Sequence, residues 1–428
     1  MEVCDEYKEF VDYWKQIRIF TRGLKDVKKY IQDVTTSADE NGQRRNKHYK
    51  DRAVYVNFPV RTRNAFTGAV FRKPAVYTLP TQLEYLIDDV DGADLSLEHL
   101  AKSCVSNVVE VGRHGLFIDY GETQAKIVQY TAENIIDWEV ENGKLVEVML
   151  QTDDDDYKKL YIDTDGFYAV DIIEDTDESD EEPSETIYPT RADGSRFDYI
   201  PFVFVGSINN SPDIDDMPLW AIVDLTRGHL QNSADMEDIA KYMIPTPAVT
   251  APNASWVKEM LPSGVYTFGD GSIIPLPDGG TATLLQAQEN QMHSKLMEQK
   301  ENQLIKIGAR IMTGESTANK TAEATKIEYS SENSVLDNLV GNVSAGIKWA
   351  LEVCAEFMGA TGATIEYELN RDFYESTANP QLILAAANLL DRQIIGPTDL
   401  RDYARRVGLT DRTDEEIDAE LANYGSGL

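Results

Sequence analysis

Residues 217–244 read MPLWAIVDLTRGHLQNSADMEDIAKYMI, a run whose period and abrupt end decide what kind of molecule this is. From Asp215 onward the apolar residues recur with the 3.6-residue period of an amphipathic helix. The stretch therefore predicts one helix of up to 28 residues, about 42 Å long at 1.5 Å per residue. Pro245 and Pro247 stop it. Residues 245–283 are rich in Pro and Gly with short apolar pieces, which predicts a small β module with at most one helical turn. Residues 284–312 return to helical spacing. In 321–358, Leu336, Leu339, Val343, Ile347, Leu351, Cys354 and Phe357 recur every three or four residues, predicting a second very long helix of about 55 Å. Very long helices separated by a small β module suit a part that spans something.

Upstream, the period switches. GLFIDY, KIVQYT, IIDWEV, KLVEVMLQ, KLYIDT and FYAVDII alternate or run β-branched and aromatic. Asn142-Gly143 and Asp165-Gly166 fall between pairs of these runs, a strong hairpin signal. Residues 115–206 are thus expected to form a mostly antiparallel sheet region, interrupted by the acidic loop EDTDESDEEPSET and closed by IPFVFVGSINN. Residues 2–33 place Phe10, Trp14, Ile17 and Phe20 at helical spacing. After the polar gap 34–43 and a basic, Tyr-rich segment, LPTQLEYLI and SLEHLAKSCVSNVVEVG read as two further helices, the second ending at Gly112. Beyond IEYELN the chain is helical again, and its last helix opens on Thr413 with Glu416 three residues later, a capping box. The fold class is α+β.

At 428 residues and 42% hydrophobic, the chain has the length of two or three domains and the material for real cores. No segment approaches 18 consecutive apolar residues, and the N-terminus has no basic or apolar leader, so a soluble protein is expected, with no membrane partner. Cys4, Cys104 and Cys354 are too few and too scattered for a disulfide framework or a zinc knuckle. The net charge of −34 opposes generic nucleic-acid affinity and suits a channel that must not stick to DNA. The charge is uneven. Residues 151–186 hold 15 Asp/Glu against Lys158 and Lys159, whereas 44–73 hold nine Lys/Arg against Asp51. Each run also fits a solvated face or loop.

Two near-miss motifs stand out. In IDDVDGADLSLEHL (87–100), alignment on Gly92 puts Asp89, Asp91 and Glu98 at calcium-loop positions 3, 5 and 12, but Ile87 occupies position 1. A turn leading into a helix is the simpler reading, with the acids capping and orienting that helix. In Gly314-Glu-Ser-Thr-Ala-Asn319-Lys320-Thr321, Asn319 replaces the second glycine of a phosphate loop, and the segment comes after a helix rather than a strand. A polar connection between helices is the simpler reading there. The five histidines, at 48, 99, 114, 229 and 293, show no metal-ligand spacing, and no catalytic motif or cofactor is indicated. Residues 286–326 carry Lys295, Lys300, Lys306, Arg310, Lys320 and Lys326 against five glutamates, net +1. That near-neutral balance suits a surface facing a moving polyanion; pairing along a solvated helix explains the same residues.

The order of these parts resembles a tailed-bacteriophage portal protein over nearly the whole chain. The strings that carry the resemblance are RTRNAFTGAVFRKP (61–74), DVDGADLSL (89–97), GRHGLFIDY (112–120) and IPFVFVGSINN (200–210). The resemblance implies a non-enzymatic homo-oligomeric ring, commonly a dodecamer. The ring would be assembled in the host cytoplasm and sit at one capsid vertex of the virion, a conduit for double-stranded DNA in packaging and ejection. Residues 1–213 would be the wing, 214–244 and 286–312 the stem helices, 245–285 the clip, 313–375 the tunnel loop and long wing helix, and 376–428 a short crown without a long helical barrel. The clip, with Trp256, Lys258, Glu259, Tyr266 and Phe268, would dock the terminase large subunit and later the head–tail adaptor. Major capsid and scaffold proteins would be further partners. Lys295, Lys300, Lys306, Arg310 and Lys320 would line the DNA tunnel, and Thr313, Gly314, Glu315, Ser316, Thr317, Ala318 and Asn319 would form its loop. The alternatives are an ATP-driven packaging motor, resting on 314–321, and an acidic calcium-binding structural protein, resting on 87–98.

Overall fold

The alternating runs between residues 113 and 206 become antiparallel sheet, and helical stripes on either side of them in the sequence supply the cover. The structure is a computed structural model that describes residues 3–23, 25–121, 124–152, 156–174, 183–242, 246–250, 255, 258, 279–285, 292–309, 322–360, 362–371, 373, 388–390, 392, 394, 396–406, 409–410 and 412–425. A three-stranded sheet has the order β3 (Ala125–Thr131), β2 (Arg113–Tyr120), β9 (Phe202–Gly206). A five-stranded meander runs β4 (Ile135–Glu141), β5 (Lys144–Gln151), β6 (Tyr157–Ile162), β7 (Tyr168–Ile173) and β8 (Glu185–Ile187). Two short ribbons complete the set among the described residues: β1 (Val76–Thr78) with β12 (Glu366–Glu368), and β10 (Thr246–Thr250) with β11 (Thr281–Leu285). Every strand pairing among the described residues is antiparallel, and the fold is α+β. The β4–β5 hairpin turns at Asn142 and Gly143, both at positive φ (51° and 77°). That is the geometry the Asn-Gly pair favours.

Two helices close the core over the three-stranded sheet. Helix α4 (Leu97–Val111) starts on Ser96, whose hydroxyl accepts the His99 N–H, and ends on Gly112 at φ 75°. It buries Leu97, Leu100, Ala101, Cys104, Val105 and Val108. The long helix of 37 residues, Ala322–Met358, buries all seven residues of its expected stripe. At roughly 1.5–3 kcal/mol per fully buried large apolar side chain, that stripe is a main source of stability. Its Phe357 ring lies 4.4 Å from Phe197 and 5.6 Å from Tyr120. The string around Gly206 forms the corner that receives this helix. Asn342 donates to the Gly206 carbonyl at 3.0 Å, and Asn210 donates to the Asn342 carbonyl at 2.9 Å. A Cβ on Gly206 would overlap the Asn209 carbonyl and the Asp215 carboxylate.

Several expectations are corrected. The N-terminal helix α1 spans Asp5–Arg22 rather than 2–33, because Gly23 takes a left-handed cap (φ 65°) and a 3-10 turn, Lys25–Tyr30, comes next. LPTQLEYLI forms a 3-10 turn (Thr81–Ile87), not an α-helix. The basic segment, for which no element is predicted, contains two helices, α2 (Glu40–Arg52) and α3 (Phe58–Val70). The stretch at 217–244 becomes α5 (Trp220–Tyr242), shorter at its start because the preceding Asp215 and Asp216 are tied into the Gly206 corner. Residues 292–304 form α6 (Met292–Leu304), continued by a π turn, Ile305–Ala309. The long helix is α7, and after it come α8 (Pro397–Arg406) and α9 (Asp414–Gly425). The capping box at α9 is closed in both directions, Thr413 N–H to Glu416 at 3.0 Å and Glu416 N–H to Thr413 at 3.3 Å.

Candidate functional site

The elements from 220 to 309 form the candidate channel part. Helices α5 and α6 lie side by side; next after α5 in sequence among the described strands is β10, whose ribbon with β11 pairs Thr246 with Leu285 and Thr250 with Thr281. Two polar contacts lock the helix pair. Lys300 Nζ donates to the Gly228 carbonyl at 2.8 Å, and His229 Nε2 lies 3.0 Å from Glu301 Oε1. Burial between the helices pushes the Lys300 amine below its usual pKa, against the pull of Asp235 and Asp224. The His229 ring also meets Phe58 edge to face, with centroids 5.6 Å apart. Leu304 is the residue α6 buries fully.

The basic segment fastens this pair to the rest of the subunit. On α2, Arg45, Tyr49 and Arg52 fall at i, i+4 and i+7, one face of a helix. Arg45 holds the Asp238 carboxylate with both terminal nitrogens, at 2.8 and 2.5 Å, and Arg52 binds the same carboxylate. Burial raises the Asp238 pKa, but the two guanidiniums outweigh it and hold the carboxyl below its ordinary range. The Tyr49 hydroxyl donates to Asp235 at 2.5 Å and accepts from Gln231 at 2.7 Å. Burial first and Asp235 second push its pKa up. On α3, Arg63 reaches Glu110 at 2.7 Å, and Glu110 also binds Arg18 of α1. Three of the nine cations of residues 44–73, Arg45, Arg52 and Arg63, therefore serve internal ion pairs.

The proposed tunnel residues separate by environment. Lys295 and Lys306 are exposed, whereas Lys300 is turned into the α5–α6 contact. Lys258 is exposed. Arg310, Thr313, Gly314, Glu315, Ser316, Thr317, Ala318, Asn319 and Lys320 lie outside the described residues, as do Trp256, Glu259, Tyr266 and Phe268. Sequence reasoning missed α2 and α3 and hence the clamp. The available signals were their caps, Asp39 accepting the Gly42 N–H at 2.7 Å and Asn57 accepting the Val60 N–H at 3.0 Å, with Pro59 in the first turn.

In the stretch at 87–100, the acids serve the turn itself. Asp89 accepts the N–H of Gly92 at 2.7 Å and of Asp94 at 3.2 Å, and Asp91 accepts those of Ala93 and Leu95 at 2.9 and 3.3 Å. Glu98 pairs with Lys102 one turn on, and Ser96 caps the helix. Among the described residues no group of three or more His, Cys, Asp or Glu could hold a metal ion, and no helix is long and apolar enough to cross a membrane.

No curated protein matches the chain. The chain is similar to the neck of the empty gene transfer agent (GTA) particle computed with C6 symmetry, at 12% identity and TM-score 0.47, covering 82% of this chain and 89% of that one. It is similar to a chain of the virion of the native gene transfer agent particle at 13% identity and TM-score 0.43, covering 78% and 84%. An HK97 family phage portal protein from Corynebacterium diphtheriae is similar at 11% identity and TM-score 0.35, covering 75% and 96%. Residues 218–358, which run from α5 through α6 into α7, match a domain of unknown function, DUF4055.

Proposed function

We propose that this chain is a portal-type protein that closes into a ring at a capsid vertex and conducts double-stranded DNA. The observation that carries the proposal is the helix pair itself: α5 and α6 pack side by side, with the β10–β11 ribbon between them in sequence, while α6 keeps most of its surface uncovered. In a ring, copies of α6 packed side by side would bury that surface. The ribbon would form the base of the clip that docks the packaging terminase and the head–tail adaptor. The four strings behind the family resemblance also occupy framework positions, in α3, the 89–95 turn, β2 and the Gly206 corner. Their part in this reading is to build the wing rather than to carry chemistry.

Negative-stain microscopy and light scattering of the purified protein test the reading. Rings with a central hole are expected, and a strict monomer at all concentrations that also fails to assemble with capsid protein would overturn it.

A further inference from the structure

We propose that neighbouring copies in the ring meet through opposite charges, the basic surface around α2 of one copy against the acidic five-stranded sheet of the next. The inference rests on the ring reading and adds which surfaces touch.

On α2, Arg45, Tyr49 and Arg52 face α5, and Lys50 pairs with Asp33 at 2.7 Å. Arg44 and Lys47 lie on other faces of the helix, exposed and without an acidic partner among the described residues. Arg22 and Lys25, at the end of α1 and in the adjoining 3-10 turn, are exposed and likewise without one. This turn and α2 form one surface, because Lys28 Nζ donates to the Asp51 carbonyl at 2.6 Å.

The sheet presents the opposite sign. Its edge strand β4 exposes Glu139 and Glu141, and Glu174 and Glu185 are exposed at its other side. Glu139 stands directly opposite Glu147 in the β4–β5 register, an arrangement that costs stability unless a cation intervenes. Lys159 serves Glu147 at 2.8 Å, while Glu139 has no cation among the described residues.

The two surfaces sit at the two ends of α1. Near its start, the Cys4 N–H donates to the Ile136 carbonyl of β4 at 3.4 Å; its last residue is Arg22, and the 3-10 turn that carries Lys25 begins just past its Gly23 cap. Eighteen residues of helix separate them by about 27 Å. A closed ring uses two different surfaces of each copy, one against each neighbour. Copies carrying −34 each repel one another, so a contact that sets positive against negative is what such a ring needs.

Charge reversal tests this. Arg44→Glu/Lys47→Glu and Glu139→Lys/Glu141→Lys are made separately, their folding is checked by thermal melting, and rings are counted by light scattering and negative stain at low salt. Each variant alone should lose ring formation by on the order of ten-fold or more. A 1:1 mixture should restore rings, because alternation makes every contact complementary again. Wild-type ring yield from either variant alone, or a mixture no better than its components, would overturn the proposal while leaving the ring intact as a reading. Variants that form normal rings but lose DNA retention would also overturn it, by assigning the basic surface to DNA. If the wild-type chain itself forms no rings, the ring reading fails first.

Discussion

Helices α4 and α6 are similar in length, 15 and 13 residues, yet α4 buries nine of its side chains and α6 buries one, Leu304. The first is capped at both ends and enclosed by its own subunit. The second leaves Met292 and Leu296 exposed, at 65% and 40%, one turn apart on the same stripe. An isolated helix of that length is marginal in water, so α6 depends on partners in a way α4 does not. The lesson is that one chain holds two kinds of element: a body that encloses its own core, and a helix that its own chain covers on one side and otherwise leaves exposed.

The comparison is broken most forcefully from the body side. Phe357→Ala removes a ring that is 2% exposed, stacked on Tyr120 and tilted against Phe197, and should cost about 3–5 kcal/mol in urea denaturation. A loss near zero would mean that α7 is not part of the body's core. At the joint between body and stem, Asp238→Asn breaks the clamp from Arg45 and Arg52, with an expected loss of about 1.5–3 kcal/mol. Its pH dependence has a definite sign. The folded carboxyl titrates below its ordinary value, so its contribution is present above the unfolded pKa of about 3.9 and fades as pH falls through the lower folded value. The Asn variant should flatten that acid limb, and an unchanged limb would show that the clamp does not contribute.

The body was the more legible of the two in the sequence, for physical reasons. Asn142-Gly143 specifies its turn locally, and the α7 stripe needs only the 3.6-residue period. Helix α2 has no such stripe: ENGQRRNKHYKDR buries Gly42 and Tyr49 alone, so hydrophobic spacing could not reveal it. Its positive charge was visible as charge, but not as a clamp, since Arg45 and Asp238 lie 193 residues apart in sequence. The same holds for Lys300, which reads as a candidate tunnel cation until Gly228, 72 residues away, is found against it. Charge runs report composition; only tertiary pairing says which charges remain free.

From the stem side the expected stability changes are small and the assembly changes large. Leu296→Glu alters an exposed residue and should leave the monomer within about 0.5 kcal/mol; under the proposed packing of α6 between copies, the added carboxylate should abolish rings. Equal ring yield would mean that α6 is solvent-facing in the assembly as well.

Lys295→Glu and Lys306→Glu should perturb the fold least of all. Both side chains are exposed, in contrast to Lys300, and neither substitution removes an apolar contact, so folding and ring yield should stay near wild type. If these lysines face the lumen, reversing them places negative charge along the path of a polyanion, and packaging should fall while rings persist. The Lys300→Met variant is the internal control. It keeps the chain length but removes the bond to Gly228, so it should loosen the α5–α6 contact and lower ring yield and packaging together. Packaging loss that tracks ring loss at Lys295 and Lys306 as well would place them in the helix contact instead of the channel.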